Sequence, residues 1–106
     1  MTTPLTLNID YRDGGTVALV ATGEIDLSNV DTFSKAINDA IAKSGSRGTV
    51  TVDLSAVEYL DSGGINVLFT HADHIRVIVK PLLIPVLKIS GLSELTTVES
   101  APPTTG

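Results

Sequence analysis

The sequence predicts a single α/β domain in which helices pack on a mixed sheet of four to five strands. Strand-like segments alternate with segments whose apolar residues recur at helical spacing, which is the pattern of a layered α/β fold. The chain has 106 residues, which suits one compact domain. The first two strand-like segments flank Asp13-Gly14-Gly15. This turn sequence favours a hairpin, so one pair of strands should be antiparallel.

Apolar patterning places four strands and indicates a short fifth one. Residues 5–9 and 49–54 alternate apolar and polar side chains, as half-buried strands do. Residues 16–22 are apolar almost throughout, which suits the interior of a sheet. Residues 75–79 are largely β-branched, and "ELTTVE" at 94–99 predicts the last short strand.

The first predicted helix lies between the second and third strands. Ser28 is its predicted N-cap, and Asp31 lies three residues later, close to a capping box. Gly45 supplies the stop signal. One face of this helix should be buried, because its apolar residues keep helical spacing: Val30, Phe33, Ile37 and Ile41.

Two further helices are predicted in the C-terminal half. One begins near Asp61-Ser62 and carries an apolar stripe made of Ile65, Leu68, Phe69 and Ala72. A shorter helix fits between Pro85 and Gly91. We place the domain at residues 1–99. Residues 100–106 have no apolar period, and we expect them to form a disordered tail.

Composition excludes several classes of function. The chain has no cysteine, which removes disulfides, thiolate metal sites and cysteine nucleophiles. Its net charge is −5 and its seven Lys and Arg residues are scattered, so we expect no direct binding to nucleic acid. The N-terminus lacks a signal-peptide pattern and no apolar run is long enough to span a bilayer. We therefore predict a cytoplasmic protein.

The segment "YLDSGGINVL", residues 59–68, contains the most informative residue, Ser62. Its hydroxyl should lie at the start of a helix, followed by two glycines that leave the backbone bare. Two helical glycines cost about 1 kcal/mol each relative to alanine. Access of a partner to the serine would explain that cost, and a tight strand-to-helix turn would explain it equally well. Asp61 and Asp26 are likewise either local caps or functional groups.

An enzyme with Ser62 as nucleophile is not expected. A nucleophilic serine needs a base within hydrogen-bond reach. His71 lies nine residues further along the predicted helix, about 13 Å away at 1.5 Å per residue. We interpret His71 and His74 as side chains on a solvated helix face. The sequence shows no cluster of carboxylates that could complete a metal site with these histidines, so we predict none. No cofactor is implied.

The order of elements resembles the STAS domain, and more narrowly the bacterial anti-sigma factor antagonists. The resemblance rests on "TGEID" before the first helix, on "VDLSAVEYLDSGGINVL" and on "VLKISGLSEL", and it runs from about residue 5 to about residue 99. It implies a mixed sheet with helices mainly on one face. The segment after the predicted third strand, Asp61 to Ile65, is its most specific part.

The resemblance also implies a mechanism. In that family the serine matching Ser62 is phosphorylated by the partner, an anti-sigma factor that is a serine kinase. The unphosphorylated antagonist binds this partner and frees the sigma factor, and a serine phosphatase resets the cycle. The residue matching Asp26 helps to form the kinase-facing surface. The implied partner-binding residues are thus Asp26, Asp61, Ser62, Gly63 and Gly64.

The sequence departs from the family pattern in two places. The span between Ser62 and "ISGL" is shorter, and the C-terminus lacks a closing amphipathic helix. Two rival functions stay open. One is a STAS scaffold or transport-complex subunit that is never phosphorylated. The other is a nucleotide or small-molecule sensor, which ranks lower because no phosphate-binding Gly-Lys motif is present.

Overall fold

A computed structural model describes residues 4–11, 16–45 and 49–101. In these ranges the chain forms five strands and three helices, in the order β1 (Thr6–Tyr11), β2 (Val17–Ile25), α1 (Val30–Ser44), β3 (Val50–Leu60), α2 (Ser62–Thr70), β4 (Ile75–Val79), α3 (Ile84–Ser90) and β5 (Val98–Ser100). Single 3-10 turns lie at Ala72–His74, Pro81–Leu83 and Leu92–Glu94.

The strands form one mixed sheet in the order β1-β2-β3-β4-β5. Strands β1 and β2 are antiparallel, and the other neighbours are parallel. Parallel neighbours require a crossover, and α1, α2 and α3 supply the three crossovers. The predicted α/β class and the mixed sheet are confirmed. The predicted turn Asp13-Gly14-Gly15 lies outside the described residues.

One aliphatic core lies between the sheet and the helices. Leu19 of β2 pairs with Val52 of β3, which pairs with Val77 of β4, so the inward side chains align in rows across the sheet. These rows pack against buried helix residues, which include Phe33, Ile37, Leu68 and Leu87. Because all three helices contribute to this single cluster, they cover the same face of the sheet, as the resemblance implied.

Strands β2 and β3 continue past the ends that the sequence predicts. β2 reaches Ile25 and β3 reaches Leu60, where the two residues are paired. The register shifts twice along this pair, between Val20 and Thr22 and between Gly23 and Glu24. Such irregularities interrupt the period of two. Apolar alternation therefore stops at Leu54 although the strand does not.

The predicted start of α1 is wrong by one residue. Asn29, and not Ser28, is the N-cap, and no side chain caps this helix. The hydroxyl of Ser28 instead donates to the carboxylate of Asp26. A serine can cap a helix only when its oxygen faces the free N–H groups of the first turn. The hydroxyl of Ser28 is instead directed toward the carboxylate of Asp26, to which it donates a charge-assisted hydrogen bond.

The last strand is shorter than "ELTTVE" and begins later, at Val98. Its end at Ser100 lies one residue beyond the domain boundary predicted at residue 99, and the N–H of Ala101 donates to the carbonyl of Val79 at 2.7 Å. The first two residues of the predicted tail are therefore attached to the sheet. Residues 102–106 lie outside the described residues.

The prediction for His71 is also wrong, because this side chain is only 7% exposed. Nδ1–H donates to the carbonyl of Val67 at 3.0 Å, and Nε2 lies 3.0 Å from the side-chain amide oxygen of Asn38 on α1. The ring thus links α1 to α2 in place of facing solvent. His74 is exposed, as expected. No helix among the described residues has the length and apolarity that crossing a bilayer requires.

Candidate functional site

The candidate site lies where β2 and β3 end side by side. Ile25 pairs with Leu60, and the N–H of Asp61 donates to the carbonyl of Ile25 at 3.2 Å. The next residues of the two strands, Asp26 and Asp61, therefore lie at the same edge of the sheet. This parallel pairing unites two segments that are 35 positions apart in sequence.

Asp61 begins α2 as its N-cap. Its backbone is extended, with φ −87° and ψ −178°, and its Oδ1 accepts a hydrogen bond from the N–H of Gly64 at 3.1 Å. The carbonyl of Asp61 accepts the first helical bond, from Ile65 at 3.0 Å. A capping carboxylate satisfies one free N–H and opposes the positive end of the helix dipole. Of the two interpretations left open for Asp61, the structure therefore supports a capping role.

Ser62 is the first residue of α2 and is exposed. Within the described part of the chain, its hydroxyl has no hydrogen-bond partner. The cap is supplied by the residue before it, so this hydroxyl is not needed to begin the helix. It is consequently available to a partner molecule without any change in the fold.

The two glycines after Ser62 differ in their surroundings. A Cβ on buried Gly64 would lie 2.5 Å from Cδ1 of Leu60 and 2.9 Å from Cγ2 of Ile25. Gly64 is therefore required for close packing of α2 on the ends of β2 and β3. A Cβ on Gly63 would lie 3.2 Å from Oδ1 of Asp61, a contact that a small shift relieves. Tight packing thus explains Gly64, whereas Gly63 remains available to give a partner close access to the backbone.

A hydrogen-bonded turn, residues 26–29, forms the other half of the site. The N–H of Asp26 donates to the side-chain oxygen of Asn29 at 3.0 Å, and Nδ2 of Asn29 donates to the carbonyl of Glu24 at 2.9 Å. Oδ1 of Asp26 accepts both the N–H and the hydroxyl of Ser28. The turn is therefore tied to the end of β2 and has a defined shape.

The hydroxyl of Ser28, followed by its backbone N–H, holds the pKa of Asp26 below its ordinary value. Both hydrogen bonds favour the ionised carboxylate, so their contribution to folding is present at neutral pH and is lost as the pH falls through the lowered pKa. We predict that Ser28→Ala raises the pKa of Asp26 toward the ordinary range, as followed by carboxyl carbon shifts in an NMR titration. Ser90→Ala, on α3, should leave this pKa unchanged, and an unchanged value in Ser28→Ala would contradict the assignment.

Leu27 is a residue of this surface that the sequence analysis missed. It is 80% exposed, at the tip of the turn between Asp26 and Ser28. Its Cδ2 would lie 3.5 Å from a Cβ on Gly63, so it borders the start of α2. An isolated leucine in a polar loop has no periodicity to identify it. The only available signal was its place directly after "TGEID".

The edge that carries Ser62 is acidic. Glu24 and Asp26 lie on one side and Asp61 on the other, and residues 16–34 and 49–75 contain no Lys or Arg. A dianion added at Ser62 would adjoin Asp61 in the chain and lie at the same edge as Asp26, and these segments carry no lysine or arginine. Positive charge on a binding partner would complement this edge.

The geometry does not support a catalytic role for Ser62. Both ring nitrogens of His71 are engaged with Val67 and Asn38, so neither serves this hydroxyl as a base. Among the residues that the structure describes, no three His, Asp or Glu side chains gather as metal ligands do. What the edge does present is an accessible hydroxyl beside a shaped acidic turn, which suits recognition by another protein.

Comparisons with known proteins agree with this geometry. The family model described as "Mlab, STAS domain" matches residues 10–97. A search of curated proteins finds no match to the sequence.

Solved structures with the same fold include an anti-sigma factor antagonist from Mycobacterium paratuberculosis. It has a TM-score of 0.81 and 24% identity, and the match covers 92% of this chain and 87% of that one. The anti-sigma factor antagonist SpoIIAA in its unphosphorylated form has a TM-score of 0.68 and 19% identity. The match covers 90% of this chain and 89% of that one.

The fold also occurs within a much larger protein. In the murine anion transporter Slc26a9 the match has a TM-score of 0.56 and 14% identity, and it covers 94% of this chain but 21% of the transporter. These likenesses to solved structures concern the fold, whereas the family model is matched by the sequence itself along most of the chain. The resemblance seen in "VDLSAVEYLDSGGINVL" is thereby confirmed, and the chain belongs to the STAS domain family.

Proposed function

We propose that this protein is an anti-sigma factor antagonist that is controlled by phosphorylation of Ser62. In the unphosphorylated state it binds an anti-sigma factor that is also a serine kinase, and the sigma factor is released. The observation that carries the proposal is the exposed Ser62 hydroxyl on the first residue of α2, which no cap or catalytic partner occupies. The similarity in fold to anti-sigma factor antagonists supports it.

The proposed phosphorylation uses ATP bound by the partner. The Oγ of Ser62 attacks the γ-phosphorus, forming the Oγ–P bond while the bond from that phosphorus to the bridging oxygen of ADP breaks. The hydroxyl proton passes to a base of the kinase, and ADP leaves. A serine phosphatase restores the unphosphorylated protein by hydrolysing the Oγ–P bond, which releases inorganic phosphate. Because ATP is the donor, the proposed cycle operates in the cytoplasm.

The five predicted partner-binding residues divide by their place in this scheme. Ser62 receives the phosphoryl group, and Gly63 lets the kinase backbone approach it closely. Asp26 presents a carboxylate on the facing turn. Asp61 and Gly64 act through the fold, since one caps α2 and the other packs it against β2 and β3. We therefore expect direct contacts from the first three and positioning from the last two.

A STAS subunit of a transport assembly is the second candidate. It is favoured by the occurrence of the fold inside the anion transporter Slc26a9. Such a subunit would bind its partners without being phosphorylated. The two candidate functions therefore differ in whether the hydroxyl of Ser62 is phosphorylated.

The test is phosphorylation by candidate kinases. The purified protein is incubated with ATP and with each anti-sigma kinase encoded in the source genome, and its intact mass is measured. We expect one kinase to add a single phosphoryl group to the wild type and none to Ser62→Ala. Thr70→Ala is the matched control, because it removes an exposed hydroxyl at the opposite end of α2. Failure of every kinase to modify the wild type would favour the transport subunit.

A further inference from the structure

We propose that Leu27 is an apolar anchor that enters a pocket of the partner directly beside that partner's phosphoryl-transfer site. The proposal rests on the proposed function and adds to it the chemistry of the surface that recognises this chain. Its starting observation is a leucine that is 80% exposed beside the phosphoacceptor helix. An exposed leucine alone is ordinary, so the argument depends on how this one is held and on its neighbours.

The turn holds the Leu27 backbone in one shape. Asn29 bridges the turn, accepting from the N–H of Asp26 at 3.0 Å and donating to the carbonyl of Glu24 at 2.9 Å. The N–H of Ser28 donates to Asp26 at 2.8 Å, and the N–H of Asn29 donates to the carbonyl of Asp26 at 3.1 Å. These bonds involve the residues on both sides of Leu27. The loop therefore needs little further ordering when a partner binds, which favours affinity.

Leu27 and the start of α2 form one continuous surface. A Cβ on Gly63 would lie 3.5 Å from Cδ2 of Leu27 and 3.7 Å from Cγ2 of Val30. Leu27 is therefore separated from the backbone of α2 only by the space that a side chain on Gly63 would fill. Ser62 is the adjoining residue and is exposed. A partner that contacts the Ser62 hydroxyl therefore covers the start of α2, which Leu27 borders. The pocket for Leu27 must consequently adjoin the site that holds the transferred phosphoryl group.

Charge defines the rim of that pocket. Leu27 follows Asp26, Glu24 is the last residue but one of β2, and Asp61 directly follows the end of β3. The segments that build this edge contain no Lys or Arg. A complementary surface is an apolar pocket bordered by Lys or Arg, where the leucine supplies affinity and the carboxylates supply orientation. The partner class is therefore a kinase whose substrate-binding face combines these two features.

The test compares Leu27→Ala with Ile89→Ala. Ile89 is 89% exposed on α3, so its truncation removes a similar apolar side chain outside the proposed surface. The partner used is the anti-sigma kinase that phosphorylates the wild type, and both the Kd by calorimetry and the steady-state constants are measured. We expect Leu27→Ala to raise Kd and KM about ten- to hundredfold, as burial of one leucine side chain implies. kcat should change little, and Leu27→Met should restore most of the affinity.

The outcomes separate this inference from the function on which it rests. If the wild type is phosphorylated and bound, and Leu27→Ala equals it in Kd and KM, only the anchor is refuted. An equal loss in Ile89→Ala would also refute it, because the effect would not be confined to this surface. If no kinase modifies the wild type, the proposed function fails and the anchor fails with it. Thermal unfolding of both variants should match the wild type, since both side chains are exposed.

Discussion

Gly64→Ala is expected to lower the free energy of unfolding by about 1–3 kcal/mol, the usual cost of overpacking a filled site. The added methyl group would lie 2.5 Å from Leu60 and 2.9 Å from Ile25. Neither side chain is free to move away, because Ile25 is fully buried and Leu60 nearly so. The strain exceeds the gain of about 1 kcal/mol that alanine brings to a helix.

Gly63→Ala is the matched control for this prediction. It places the same methyl group one residue earlier in the same helix turn, where the nearest atom is Oδ1 of Asp61 at 3.2 Å. We expect its unfolding free energy to stay within about 1 kcal/mol of the wild type, since helix propensity offsets the small shift. Urea unfolding of the three proteins measures the difference. Equal stability of the two variants would show that Gly64 is not needed for packing.

Phosphorylation of Ser62 is expected to weaken binding to the anti-sigma factor by about a hundredfold or more. The added group carries about −1.5 to −2 charge. A misplaced charge at an interface costs several kcal/mol, and each 1.4 kcal/mol is tenfold in affinity. The phosphate would also occupy space beside Gly63 that we propose the partner fills in the unmodified complex. Calorimetric titration of the phosphorylated and unmodified proteins with the same partner measures the ratio.

The fold itself should survive phosphorylation. At the first residue of α2 the phosphate faces free backbone N–H groups and the positive end of the helix dipole, which favour an anion by about 0.3–1 kcal/mol. NMR amide shifts should therefore change near Ser62 and the 26–29 turn and remain constant in β4 and α3. Ser62→Ala cannot be phosphorylated, so incubation with ATP and the kinase should not change its affinity for the partner. A rearranged α2 in the phosphorylated protein would instead mean that the switch acts through the fold.

Local patterns predicted the elements well where the period of the side chains is regular. β4 has the predicted bounds, and α3 begins at the residue before Pro85 and ends before Gly91, whose φ is +88°. Prediction failed where a tertiary contact replaced a local preference. Ser28 bonds to Asp26 and leaves the helix start to Asn29. His71 turns back into the structure because α1 and α2 lie close enough for it to bridge them.

By itself the sequence determined the fold class, the position of Ser62 at the start of a helix and the likeness to STAS domains. These depend on residues close together in the chain, whose periodicity and capping preferences act locally. Only the tertiary structure decided that Leu27 borders the start of α2, and that the two glycines differ in packing. Both facts follow from the parallel pairing of β2 with β3, which joins segments that no local preference connects.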